Sequence, residues 1–241
     1  KEINDGDEIK RLPETVDLFV DFGMTKKELL QKGVSIGDYF EFLRSATRLG
    51  NPSTITGKAL DDRIGCFILV TLAKAFHRVK IPADVYLVFT VQEEVGLYGA
   101  RTSLYTIEPD VALVVETTNA NDSDVSRCTK RIGCGPCITV KDADMIGNRK
   151  INDFLKELGK KIDVPLQMEV SDFGTTDALS ISVSKGGIPT GVISVPLRNI
   201  HTSTSVAHLD DVRGVINVVG YFLKHPPNLC ETHERGGKMC V

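Results

Sequence analysis

The chain has 241 residues, 41% hydrophobic and 25% charged, with 29 Lys and Arg against 32 Asp and Glu for a formal net charge of -3. This is a globular composition, and it excludes disorder, collagen and coiled coil. No apolar run approaches the roughly 18 residues that cross a bilayer, and interspersed charges of both signs give no basic field for a phosphate backbone, so neither membrane nor nucleic acid is an expected partner. No secretory signal opens the chain, and its six cysteines are too sparse for a disulfide scaffold, so a reduced, cytoplasmic protein is expected. The first residue is Lys1, and residues 1–11 (KEINDGDEIKR) read like the middle of something longer.

Residues 16–22 and 34–42, with several glycines, suggest short strands and turns, and residues 25–30 (TKKELL) a helical turn or two. The expectation is a partial β-rich domain over residues 1–56, with its boundary in residues 51–57 (NPSTITG). From Gly57 helical and extended patterns alternate, which predicts an α/β domain over residues 57–225. Residues 62–79 place Ile64, Phe67, Ile68, Leu72, Ala75 and Phe76 at helical spacing. A strand at 85–90 (VYLVFT), a short helix near 99–105 and a strand at 111–115 (VALVV) follow, the last apolar enough to be covered on both faces. Residues 151–158 read as helix, 166–170 and 188–195 as strands, and 212–223 as a closing helix preceded by two Asp caps. Residues 226–241 read as a loose tail.

Cys134 and Cys137 form CGPC, which resembles the thioredoxin redox motif. That chemistry needs a helix N-terminus to stabilise a thiolate. The run that follows, residues 138–141 (ITVK), is β-branched and reads as a strand, so a tight turn flanked by cysteines is the competing reading.

Candidate chemistry lies at predicted strand ends, where open α/β sheets gather their ligands. Glu93 and Glu94 (VQEEVG) follow residues 85–90, Glu116 (VVETT) follows 111–115, His201 (VPLRNIHTS) follows 188–195, and Asp61 (KALDDRIG) opens the first core helix. Each has a plain structural reading alone. Asp61 and Asp62 suit helix capping, Glu93 and Glu94 suit a solvated loop, and His201 suits a hydrogen-bonded turn. Glu116 is harder to explain so, because an unpaired carboxylate at the end of a central strand is costly to desolvate. If the topology brings these ends together, four carboxylates repel unless cations sit among them, and carboxylates with imidazole suit zinc, cobalt or manganese in a two-metal hydrolytic site.

KALDDRIG, VQEEVGLYGAR, VALVVETT, GTTDA and IPTGVISVPLRNIHTS, in that order, resemble the tetrahedral aminopeptidases. These are dinuclear metal exopeptidases that include glutamyl and deblocking aminopeptidases, with some relatives labelled endoglucanase. The resemblance implies a peptidase domain with a central mixed sheet flanked by helices, interrupted by a small β-rich dimerisation or lid domain. It implies that Asp61 bridges two metal ions, Glu93 is the general base, Glu94 and His201 complete one metal site, and Glu116 binds the other ion. It further implies peptide substrates and homo-oligomers, from dimers to hollow dodecamers. One departure stands out. The family carries another ligand histidine in an upstream HxD motif, whereas the histidines here are His77, His201, His208, His225 and His233. The alternative reading is therefore a non-catalytic fragment or structural subunit. A metal-independent glycoside hydrolase, with two carboxyl groups flanking a bond, is a further reading of the acidic residues.

Overall fold

The computed structural model describes residues 14–123, 128–227 and 238–240, and it divides into two compact units, Lys1–Phe42 and Leu43–Val241. In the first unit the described residues hold a 3-10 turn, Thr15–Asp17, and one helix, α1 (Lys26–Gln31). A capping box opens α1: Thr25 Oγ1 accepts from Glu28 N at 3.4 Å, and the Glu28 carboxylate accepts from Thr25 N at 2.7 Å. Residues 16–22 and 34–42 form no strand. The strands that precede α2, β1 (Thr47–Arg48) and β2 (Thr54–Gly57), instead belong to the sheet of the second unit. The Pro, Ser, Thr and Gly of NPSTITG read as a linker because turns and short edge strands share that composition.

The second unit continues with α2 (Leu60–Phe76), β3 (Asp84–Tyr86), α3 (Tyr98–Ile107), β4 (Val111–Asn119), β5 (Cys137–Lys141), α4 (Arg149–Lys161), β6 (Gln167–Val170), α5 (Asp177–Ser182), β7 (Thr190–Arg198), β8 (Ser205–His208), α6 (Leu209–Lys224) and β9 (Lys238–Cys240). The sheet is mixed, in the order β1-β2-β8-β7-β4-β9-β3, with β5 and β6 branching from β7. The expected α/β fold, a central mixed sheet flanked by helices, is the fold observed.

Parallel strands β4 and β7 form the centre, registered from Ala112 against Thr190 to Asn119 against Leu197. Residues 111–115 of β4 and much of β7 are apolar because each face carries helices. Leu113 joins the core built from α2, α4 and α6, while Ala112 joins a smaller core with Ala100 and Leu104 of α3 and Ile181 of α5. Ile68, Ile151, Leu155 and Phe222 fill the larger core with no exposed surface. Truncating any of them to Ala costs about 2–5 kcal/mol.

Three local expectations change. His208, rather than an Asp pair, caps α6, its side chain accepting from Asp210 N at 3.3 Å. Asp211 is fully buried and accepts from Gly133 N and Gly135 N at 2.6 and 2.7 Å, which ties the CGPC turn to α6. Lys238–Cys240, within the stretch read as a loose tail, forms β9, parallel to both β4 and β3. Three residues are too few to show a periodicity against polar and proline-bearing surroundings. Strand β3 stops at Tyr86, level with Cys240, so residues 87–90 join no strand pair among the described residues.

Candidate metal centre

Strands β3, β4, β7 and β9 are parallel, and β2 runs the same way because two antiparallel steps through β8 separate it from β7. Whatever follows their C-terminal ends therefore gathers at one edge of the sheet. Asp61 follows β2, Glu93 and Glu94 follow residues 87–90, Glu116 lies in β4, and His201 follows β7.

The backbone at each position departs from regular structure. Ala59 has φ 53, and Asp61 (φ -84, ψ 112) and Asp62 (φ -116, ψ 57), joined by a cis peptide, lie outside helical geometry, so α2 coils regularly only from Arg63. Asp62 takes the capping role, accepting from Gly65 N at 2.7 Å. Asp61 is left for the site: Thr117 Oγ1 donates to its Oδ1 at 2.9 Å, and its Oδ2 lies 3.0 Å from His201 Nε2.

The Glu93–Glu94 turn is held from behind. Glu93 O accepts from Gly96 N and Leu97 N at 3.1 Å each, and Gly99 N donates to Val91 O at 2.9 Å. A Cβ on Gly99 would lie 2.3 Å from Val91 N, so only glycine lets α3 approach this closely. His201 has φ 61 in a turn where Thr202 Oγ1 and Ser205 Oγ donate to Asn199 O at 2.7 and 2.8 Å.

These turns bring one ligand atom each from Asp61, Glu94 and His201 to within 4.8 Å of one another, with His201 Nε2 3.6 Å from Glu94 Oε2. Two carboxylates and an imidazole are a suitable donor set for a borderline divalent cation. Glu116 and Glu93 stand outside this trio but line the same cavity as all three. Glu116 does not lie beyond its strand as expected. It lies within β4, level with Ser194, 9% exposed, with Oε1 turned back to Thr117 N at 2.9 Å. The five-residue apolar run ends before the strand does: β4 continues through Glu116, Thr117, Thr118 and Asn119, with Glu116 and Thr117 still buried.

Burial, reinforced by neighbouring carboxylates, suppresses the ionisation of Glu93, Asp62, Glu116 and Glu94. Burial, then Asp177, Glu94 and the Asp pair, push the Glu93 carboxyl up to about 7. Burial also raises Asp62 to about 7 and Glu116 well above the usual carboxylate range, and it raises Glu94.

Asp177, within GTTDA, carries no sequence-based expectation. Asp177 is 5% exposed, Oδ2 accepts from Thr90 Oγ1 at 2.6 Å, and Oδ1 has no hydrogen-bond partner among the described residues. It sits in the first turn of α5, capped by Thr176, a pattern that reads as ordinary helix initiation.

Comparisons with known proteins agree with this architecture. A profile described as M42 glutamyl aminopeptidase matches residues 2–218. A lysyl aminopeptidase of Pyrococcus furiosus is 33% identical over 210 residues, which cover 86% of this chain and 59% of the relative. The structure of the aminopeptidase APDkam598 from the archaeon Desulfurococcus kamchatkensis superposes with TM-score 0.83 at 37% identity, covering 90% of this chain and 62% of the other. A TET aminopeptidase from a marine sediment Thaumarchaeota archaeon gives TM-score 0.81 at 32% identity, covering 91% and 63% respectively. The chain thus spans about three-fifths of the length of these relatives. It belongs to the M42 glutamyl aminopeptidase family.

Proposed function

We propose that the protein is a metal-dependent aminopeptidase that hydrolyses N-terminal residues from peptides. The observation that carries this reading is the convergence of Asp61, Glu94 and His201 beside Glu93, whose carboxyl is raised to about 7. In this reading Asp61, Glu94 and His201 hold one divalent ion, zinc, cobalt or manganese. Asp61 and Glu116 serve a second ion. Bound ions of this kind polarise a scissile carbonyl and acidify water. Glu93 takes the proton of the attacking water and passes it to the leaving amine, a task that suits a carboxyl titrating near neutrality. The surrounding carboxylates attract the free amino group of the substrate, which favours exopeptidase action. The test is hydrolysis of an aminoacyl p-nitroanilide with a free or an acetylated amine. Metal-dependent cleavage of the free form alone is expected, and equal cleavage of both would reject the reading.

Self-association is part of the proposal. In the first unit Val16, Phe19 and Tyr39 are 88%, 70% and 100% exposed, which favours burial against another copy. Sedimentation of a monomer at all concentrations would contradict it.

A second reading is a non-catalytic fragment or subunit, favoured by a group of three candidate ligands among the described residues. Metal binding without any hydrolysis is its expected signature.

A further inference from the structure

A cavity of about 690 Å³ is bordered by Asp61, Glu94 and His201 and also by Thr118, Lys130 and Glu169. Glu116 and Thr118 are alternate residues of β4 and both border it, so one two-residue step along the strand, about 6.6 Å, separates the metal centre from this second polar group. Leu97, Phe173 and Ile200 supply apolar lining.

The second group is built on a buried ion pair. Lys130 and Glu169 are 8% and 6% exposed, and the Lys130 ammonium donates to Glu169 Oε1. Thr118 Oγ1 donates to the same oxygen at 2.6 Å and accepts from Lys130 Nζ at 3.0 Å, while Thr139 Oγ1 donates to Glu169 Oε2 at 3.1 Å. An ammonium has three donors and a carboxylate about four acceptor positions. Among the described residues two of those donors and three of those positions are used, which leaves one donor and one acceptor side by side.

Charge disfavours an ionic occupant. Lys130 and His201 are the only basic residues among the described ones that line the cavity; Glu169 meets the charge of the first, and the second belongs to the metal centre. An acidic side chain finds no unpaired cation here, and buried Asp142, on the same cavity, adds a negative charge with no ion pair to offset it among the described residues. A cationic side chain meets the Lys130 ammonium at short range. A neutral carboxamide donates and accepts at once, which matches the two positions left open.

We propose that Lys130 and Glu169 select the first residue of the substrate, and that the preferred residue carries a carboxamide, glutamine above asparagine. The inference rests on the aminopeptidase reading: with the amine and the scissile carbonyl held at the metal centre, the side chain leaves the intervening Cα into this cavity. A glutamine side chain with its hydrogen bond of about 2.9 Å reaches across the strand step between Glu116 and Thr118, and asparagine is one methylene shorter.

The test compares L-glutaminyl, L-glutamyl, L-lysyl and L-leucyl p-nitroanilides as substrates of the zinc-loaded chain, alongside calorimetric affinities of the corresponding amino-acid amides. Glutaminyl is expected to lead in kcat/KM and in affinity, by at least ~10-fold over glutamyl and lysyl. Glu169→Gln frees the Lys130 charge and is expected to raise the glutamyl-to-glutaminyl ratio at least ~10-fold. Because that variant buries an unpaired ammonium, a second one, Lys130→Met with Glu169→Leu, replaces the pair by apolar side chains, a change that buried pairs commonly tolerate. It is expected to prefer leucyl over glutaminyl. Glutamyl or lysyl equal to glutaminyl in the wild type, ratios unmoved in both variants, or no affinity for any amide would overturn the inference. Hydrolysis without the glutaminyl preference leaves the aminopeptidase reading intact, whereas the expected order of affinities without hydrolysis rejects that reading and supports the selection by Lys130 and Glu169.

Discussion

His201 Nε2 lies 3.0 Å from Asp61 Oδ2, joining the turn after β7 to the entrance of α2. Neither residue is adjacent to the other in sequence or on a neighbouring strand. Their meeting depends on β2 and β7 running in the same direction, which two antiparallel pairings through β8 enforce.

That meeting concentrates carboxylates, which makes stability depend on pH. Asp62 and Glu93 are raised from 3.8 and 4.5 to about 7, so between their ordinary values and about 7 the folded chain binds more protons than the unfolded one. Stability of the metal-free chain therefore falls as pH rises through that window. A divalent cation takes the place of those protons, so metal should raise the melting temperature more at about pH 8 than at about pH 5.5. Thermal melts with chelator and with zinc check this, and equal stabilisation at both pH values would contradict it.

Glu93→Gln should abolish peptide hydrolysis and change metal affinity by less than about threefold, because Glu93 is assigned as a proton carrier rather than a ligand. The metal-free variant should also lose part of the pH dependence of its melting temperature. Undiminished turnover would reject the assigned base.

Gly99→Ala should both destabilise the fold and disturb the site. The added Cβ would lie 2.3 Å from Val91 N and 2.5 Å from Val91 O, backbone atoms that cannot step aside cheaply. A loss of about 1–3 kcal/mol in denaturant unfolding is expected, together with weaker metal binding as the Glu93–Glu94 turn moves. Wild-type stability would show that the turn is not held by this contact.

The CGPC turn should be structural. Cys137 is fully buried, and burial pushes its thiol up to about 12. Cys134→Ser is expected to leave stability and any insulin-reducing activity at background. Asp211→Ala, which strands the buried Gly135 N–H and also frees the Gly133 N–H, should cost about 1–3 kcal/mol by denaturant unfolding. Activity lost specifically with Cys134 would restore the redox reading.

Much of the fold is legible in the sequence because the central strands are buried on both faces. Residues 111–115 and 188–195 stand out as apolar runs, and α2 shows its buried stripe at Ile64, Ile68 and Leu72. Phe67 breaks that stripe: it has the right period yet is 58% exposed. Short strands such as β1, β2 and β9 are illegible, since their pairing is decided by distant partners and not by local pattern. At the site, Asp61, Glu93, Glu94, Glu116 and His201 are candidates by residue type and position, and their separate roles follow only from the family resemblance. The backbone of the structure treats the pair Asp61 and Asp62 differently, turning Asp62 to Gly65 N and Asp61 to Thr117 and His201. Asp177 was hidden by resembling a helix-initiating residue.

Calorimetric titration of the chain with zinc, repeated for His201→Ala, tests the central claim most directly. The His201 side chain is 64% exposed, so its removal should leave the metal-free melting temperature nearly unchanged. The predicted result is saturable binding by the wild type, weakened at least ~100-fold in the variant. Saturable binding of equal affinity in both proteins, or none in the wild type, would contradict a metal centre built on Asp61, Glu94 and His201.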